Sequence, residues 1–171
     1  MKLLGPKSMS AYLFYGTRIA AVGSVLLSLY IVFSFSFDNF TVNNGRFTIP
    51  LPLFSYFDIK GVYQTSSIAS VVLILLYIGV FLFCISTILK SFKSEVLFSA
   101  NAIRNLNAFA ALNLVAFPIF YIVLRMLILK IPVLGGLHNL FLSSILGIFI
   151  LFVSAIFKRG LKVQIENDLT I

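Results

Sequence analysis

Carboxylates, cysteine and histidine are all scarce in this sequence. Its 171 residues include five Asp and Glu, one Cys, one His and no Trp. Catalytic and metal sites need several ionisable or ligating side chains that converge. Cys84 has no second cysteine to pair with, and His138 has neither another His nor a Cys near it in the sequence. We therefore predict that the chain is not an enzyme and that it binds no metal or other cofactor.

Charge of either sign is also sparse. Only 11% of the residues are charged, whereas 60% are hydrophobic. A soluble domain carries about 25% charged residues, so this chain has too little polar surface to cover a globule in water. Its main solvent, and its first partner, is predicted to be the lipid bilayer.

Four apolar stretches are long enough to cross a membrane. They lie at about 12–37, 68–89, 108–129 and 140–157. A hydrocarbon core of about 30 Å takes roughly 20 helical residues. The pattern predicts an all-α integral membrane protein, with one membrane domain built as a bundle of four transmembrane helices.

The basic residues predict how this bundle is oriented. Nine of the 13 Lys and Arg flank the spans on one side and four on the other. Because cytoplasmic flanks are enriched in Lys and Arg, both termini are predicted to be cytoplasmic (N-in/C-in). The nine are Lys2, Lys7, Arg18, Lys90, Lys93, Arg104, Lys158, Arg159 and Lys162, and the four are Arg46, Lys60, Arg125 and Lys130.

The net charge of +8 raises nucleic acid as another partner. Protein surfaces that bind single-stranded nucleic acid combine Lys and Arg with exposed aromatic side chains. In this sequence the Lys and Arg residues form short clusters beside apolar runs instead. The clusters are typical of topology signals, so direct nucleic-acid binding is not expected.

The loop between the first two spans, 38–67, is the only sizeable segment outside them. Asn43-Asn44-Gly45 separates two short β-prone runs, and Asn-Gly tolerates the positive φ angles of a tight turn. We expect a small β-hairpin here, on the extracytoplasmic side.

The segment 94–107, before the third span, has the pattern of an amphipathic helix. Ser99 is placed to cap it. One predicted face carries Ala100, Ile103, Leu106 and Ala110, and the other carries Asn101, Arg104 and Asn105. This arrangement predicts a short helix at the inner membrane interface that runs into the third span.

Three polar residues within the spans are candidates for intramembrane roles: Arg18, Asn113 and Arg125. Each arginine lies near the end of a span, so its guanidinium is expected either to reach the headgroups, to contact another helix, or to bind a ligand or ion. Asn113 is a candidate for a hydrogen bond between helices. Small residues at helical spacing, Ala20-Ser24-Ser28 and Ser143-Gly147, are predicted packing seams. Pro118 is expected to bend the third span.

The C-terminal tail, 158–171, changes from basic to acidic and polar, and ends in Glu-Asn-Asp-Leu-Thr-Ile at 166–171. This ending resembles that of a bacterial membrane family catalogued as domain of unknown function 2975. Phe-Ser-Ala-Asn at 98–101 is similar to that family's segment before its third span, and four spans with a large first loop fit as well. Ala100 and Ala102 replace more polar residues or proline there. The resemblance implies a multi-pass protein of the bacterial inner (cytoplasmic) membrane.

Members of that family are often encoded beside a small helix-turn-helix repressor. The resemblance therefore implies a non-enzymatic protein that binds protein partners, as a membrane anchor or sensor for such a regulator or as a subunit of a larger assembly. The candidate partner-binding residues are Ser99, Asn101, Arg104, Gln164, Glu166, Asn167 and Asp168. Two alternatives stay open: a tail that merely folds back so that its acids meet Lys158 or Lys162, and a small, oligomeric transporter or channel.

Overall fold

The computed structural model describes residues 3, 5, 8–51, 58–94 and 96–169. In chain order the elements are α1 (Met9–Ser36), β1 (Thr41–Asn43), β2 (Arg46–Pro50), β3 (Asp58–Val62), α2 (Thr65–Lys93), α3 (Ala100–Ala111), a π-helical turn (Leu112–Ala116), α4 (Phe117–Val123), a second π-helical turn (Leu124–Ile128), a 3₁₀ turn (Val133–Gly136) and α5 (Leu137–Asp168).

Within these described residues, four helical segments are long and apolar enough to cross a membrane. They are Met9–Ser36, Thr65–Lys93, Ala100–Ile128 and Val133–Asp168. The third consists of α3, α4 and both π turns in one continuous run, called the α3–α4 helix below. The prediction of four candidate transmembrane helices is confirmed.

The four helices form two hairpins side by side. In one, α1 packs along α2, and in the other α3 packs along α5. The hairpins meet through α2 and α3, around a cluster that includes Ile88, Leu106, Phe109 and Phe157. Large apolar side chains also cover the outward faces, Ile19 on α1 and Phe149 on α5 among them. Lipid accommodates such surfaces at no hydrophobic cost.

Close backbone approach holds each hairpin together. A Cβ on Gly79 of α2 would lie 3.3 Å from the Ala21 carbonyl oxygen of α1, and one on Gly147 of α5 would lie 3.3 Å from that of Ala110. The predicted Ser143-Gly147 seam is buried and continues to Ser154. On α1, Ser28 is buried as predicted and Ser24 is half-buried, but Ala20 is exposed and its neighbour Ala21 is buried instead.

The predicted β-hairpin is present and has a third strand. Asn44 and Gly45 have φ angles of 50° and 71°, which fit the turn between β1 and β2. β3 pairs antiparallel with the other side of β2 and gives the sheet order β1-β2-β3. Phe47 and Ile49 of β2 alternate towards the helices and are buried against Ile31 of α1.

The predicted amphipathic helix begins where expected, since the Ser99 side chain accepts a hydrogen bond of 3.2 Å from the Ala102 amide. Its packed face was only partly right. Leu106 and Ala110 are buried as predicted, but Ala102 and Phe109 are buried with them, while Ala100 is exposed. The helix turns this face towards α2 and α5, so the core lies slightly around the helix from the predicted stripe.

Pro118 follows a π-helical turn. The amide of Phe117 donates to the carbonyl of Leu112, five residues back. Because proline has no amide hydrogen and its ring clashes with the preceding turn, the wider π turn accommodates it. The sequence predicted a bend at Pro118, and the structure has a π-helical turn directly before it.

The C-terminal segment does not fold back, because α5 continues without a break to Asp168. Lys162 Nζ lies 3.6 Å from Glu166 Oε1, so the expected pairing occurs along the helix, one turn apart. Gly160 does not end the helix. The Phe98 ring occupies the place that a Cβ there would take, with its nearest atoms 2.7 Å away.

The two ends of the molecule differ. The start of the chain, the α2–α3 connection and the end of α5 lie together: the Gly5 amide bonds to the Phe92 carbonyl, and the Phe98 and Phe157 rings are 5.3 Å apart. We call this the termini end. The sheet and the turn before α5 lie at the opposite end.

Candidate partner-binding cleft

A polar cleft opens at the termini end, between the last turns of α2 and the start of α3. Its cavity volume is about 370 Å³. α2 contributes hydroxyls and an amine, and α3 contributes amides and a guanidinium. The lining residues are Thr87, Lys90, Ser91, Ser94, Ser99, Asn101, Arg104 and Asn105. Three of the predicted partner-binding residues, Ser99, Asn101 and Arg104, are therefore brought together.

The two walls of the cleft are held by hydrogen bonds. Asn105 Nδ2 donates to the Thr87 carbonyl at 3.3 Å and to Ser91 Oγ at 3.5 Å, which ties α3 to α2. Arg104 Nη2 donates to Asn101 Oδ1 at 3.2 Å, one turn earlier on the same helix. The second bond holds the guanidinium beside the cavity and leaves its other donors for a ligand.

The cleft is positively charged. Lys90 and Arg104 line it, and none of its lining residues is a carboxylate. The ion pairs among the described residues join Lys60 to Asp58 and Lys162 to Glu166, both outside the cleft. Glu95 of the α2–α3 connection lies outside the described residues. Among the described lining residues, Lys90 and Arg104 therefore have no carboxylate beside them, an arrangement suited to carboxylate or phosphate groups.

The remaining predicted partner-binding residues lie on the C-terminal part of α5. Gln164 is half-buried, and Glu166, Asn167 and Asp168 are exposed. They do not line the cleft. The last residues of the Glu-Asn-Asp-Leu-Thr-Ile ending, Thr170 and Ile171, lie outside the described residues.

Two of the intramembrane candidates stabilise the second hairpin. Ser143 Oγ donates to the Asn113 carbonyl at 2.8 Å, while Asn113 Nδ2 donates to the Phe109 carbonyl at 2.8 Å. Arg125 donates twice to the Pro132 carbonyl, from Nε at 3.0 Å and Nη2 at 2.7 Å. The guanidinium thus closes the tight turn between the α3–α4 helix and α5.

Arg18 contacts a neighbouring helix. Its Nη1 donates to Ser86 Oγ on α2 at 3.3 Å, and its guanidinium carbon lies 3.9 Å from the centre of the Phe83 ring. Of the three expectations for this side chain, the structure shows contact with another helix.

Several polar residues of this end escaped prediction. Thr87, Lys90 and Ser91 line the cleft, and Asn107 accepts a hydrogen bond of 2.6 Å from Ser154 of α5. Lys90 and Ser94 lie four residues apart at the end of an uncharged span. Because residues at this spacing share one face of a helix, the sequence could have predicted a polar surface here. Within the described part of the chain, no three His, Cys, Asp or Glu side chains form a group able to hold a metal ion.

The fold and the cleft define the class of protein: a helical chain with four candidate transmembrane helices, a small sheet at one end and a cationic cleft at the other. The chain belongs to the family described as protein of unknown function (DUF2975), whose sequence model matches residues 48–171. No curated protein and no solved structure matches the chain.

Proposed function

We propose that this chain is a non-enzymatic protein of the bacterial inner membrane that binds a protein partner at its termini end, on the cytoplasmic face. The observation that carries the proposal is the cationic cleft, in which Lys90 and Arg104 lie without a carboxylate among the lining residues. An acidic side chain or a terminal carboxylate of a partner would form ion pairs with these two side chains.

The distribution of bases supports a cytoplasmic cleft. By sequence, nine of the 13 Lys and Arg flank the spans on this side, and seven of the nine are among the described residues. Short flanks rich in Lys and Arg stay in the cytoplasm during membrane insertion. The sheet would then lie on the extracytoplasmic side.

The C-terminal part of α5 supports a second contact with the partner. α5 has 32 residues, or about 48 Å of helix, whereas the hydrocarbon core is about 30 Å thick. The excess would project from the membrane at the termini end. It exposes Val163 and Ile165, and Leu169 directly after it is exposed as well. Apolar side chains beside the polar residues of the tail are a mixture typical of interaction surfaces.

Family resemblance supports a particular kind of partner, a small helix-turn-helix regulator of the type often encoded beside members of the family. By this analogy the protein is an anchor or sensor that holds the regulator at the membrane. A subunit role in a larger assembly would use the same surfaces. The transporter or channel alternative has no comparable support, since Arg125 bonds to a loop carbonyl and the groove beside Arg18 is lined by apolar residues.

We expect a photo-crosslinker at Asn101, in native membranes, to capture one specific cytoplasmic protein. Arg104→Glu should lower its recovery about tenfold, because reversing a charge at an ionic contact replaces attraction with repulsion. Arg46→Glu is the matched control, since Arg46 is exposed on the sheet at the opposite end. Equal recovery from both variants, or the same proteins captured from Val42 of the sheet, would contradict partner binding at the cleft.

A further inference from the structure

Arg18 lies well inside the apolar helix α1 and makes few polar contacts there. It is the tenth residue of α1, so its Cα is about 14 Å from the start of that helix. Guanidinium groups offer five N–H donors. Among the described residues, one hydrogen bond of this group is present, to Ser86 Oγ.

The surrounding helices offer no counter-ion. α1, α2 and the α3–α4 helix contain no Asp or Glu, and the first carboxylate of α5 is Glu166, near its C-terminal end. A charged group in an apolar layer is costly unless it is paired. The described helices around Arg18 therefore supply no anion, so an anionic group of another molecule would find this charge unpaired there.

An apolar groove begins directly beside this charge. It lies between α1 and α2, has a volume of about 300 Å³, and is lined by Ala21, Val22, Val25, Leu26, Gly79, Val80 and Phe83. Phe83 joins the two features, because its ring lines the groove and also supports the Arg18 guanidinium at 3.9 Å. The close contact between Ala21 and Gly79, which are both buried, forms the floor of the groove. Its walls are exposed side chains, those of Val22, Leu26, Val80 and Phe83.

The positive charge and the apolar groove are arranged like the two parts of a phospholipid, a charged headgroup followed by an acyl chain. Arg18 lies on the termini side, and the groove runs from it towards the middle of both helices. One turn closer to the termini end, Lys93 Nζ donates to the Tyr15 hydroxyl at 2.9 Å and adds a second positive charge. Positive charge thus extends from Lys93, near the headgroup level, to Arg18 at the outer part of the acyl layer, and the apolar groove continues from there.

We propose that the α1–α2 groove is a binding site for an anionic phospholipid, with the phosphate on Arg18 and one acyl chain along Val22, Leu26 and Val80. Arginine suits this role because its planar guanidinium donates two parallel hydrogen bonds to phosphate oxygens. A free phosphate would gain nothing from the groove. The site is independent of the partner-binding cleft.

Native mass spectrometry of the full-length protein in detergent tests this proposal, with phosphatidylglycerol and phosphatidylcholine of identical acyl chains as probes. We expect phosphatidylglycerol to bind about tenfold more tightly than phosphatidylcholine, and Arg18→Met to remove that preference, as loss of a charge-assisted contact predicts. Arg46→Met at the sheet end should leave it unchanged. Excess inorganic phosphate should not displace the lipid.

A second variant separates the groove from the charge. Val22→Trp fills the groove from its exposed side and keeps Arg18, so it should weaken binding of both lipids while the protein stays folded. It is also the deciding variant if Arg18→Met does not fold. Equal binding of the two lipids by the unmodified protein, or phosphatidylglycerol binding unchanged in Val22→Trp, would overturn the proposal.

Discussion

Phe47→Ala is expected to detach the three-stranded sheet from the helices. Phe47 is 2% exposed and packs in a cluster with Ile31 of α1 and its strand neighbour Ile49. Its ring also lies edge-on to Phe35 at 5.1 Å. Removing a buried phenylalanine side chain costs about 3–5 kcal/mol. That is comparable to the stability a small sheet gains by packing, so we expect residues 38–64 to become rapidly cleaved by protease.

A neighbouring strand supplies the matched control. Val42 pairs with Phe47 in the sheet but is 43% exposed. Val42→Ala keeps the strand and loses little burial, so its cleavage rate should remain close to that of the unmodified protein. Equal cleavage of both variants would show that the sheet is not anchored through Phe47.

Gly147→Ala is expected to loosen the second hairpin. An added Cβ would lie 2.5 Å from Leu114 Cγ and 3.3 Å from the Ala110 carbonyl oxygen. The Leu114 side chain can avoid this contact only by leaving its packed position. The Ala110 carbonyl oxygen can move away only if the helix itself shifts. Overpacking of this kind costs about 1–3 kcal/mol. A lower unfolding temperature in detergent would record it.

Gly23 of α1 is the control for this substitution, because an added Cβ there meets no atom within 4 Å. Replacing a helical glycine with alanine in open space stabilises a helix by about 0.5–1 kcal/mol. Gly23→Ala should therefore keep or raise the unfolding temperature. If Gly147→Ala behaves in the same way, the two helices do not approach as closely as the structure shows.

Features with a local cause were predictable from the sequence. The lengths of the apolar runs predicted the four helices. Asn44-Gly45 predicted the turn between β1 and β2, and Ser99 predicted the start of α3. Each depends on residues close together in the chain, so a single sequence carries the full signal.

Packing between distant parts of the chain was predicted only in part: the Ser143-Gly147 seam was recognised, but the roles of two other glycines were not. β3 contains Gly61, which weakens a strand pattern, yet that glycine leaves room for the Phe47 ring, 2.7 Å from where a Cβ would be. Gly160 looks like a helix stop but receives the Phe98 ring instead. In both cases the reason for the glycine lies in a distant part of the chain.

The arrangement of the spans was hidden for a different reason. In water, a helix marks its packed face by apolar residues, but here both lipid-facing and packed faces are apolar. The burial of Ser28, Ser86 and Ser154, with exposed Ile and Phe outside, reverses the usual pattern. The cleft depends on how α2 and α3 meet, so only its α3 side was recognised beforehand.

Cysteine labelling from outside the membrane tests the central claim most directly, namely that the cleft faces the cytoplasm. The single native cysteine, Cys84, is first replaced by alanine, and one cysteine is then introduced at Val42 of the sheet or at Asn101 of the cleft; both positions are exposed. A membrane-impermeant maleimide on intact spheroplasts should label position 42 at once and position 101 only after permeabilisation. Labelling of position 101 in intact spheroplasts, with position 42 protected, would contradict the orientation and, with it, binding of a cytoplasmic partner in the cleft.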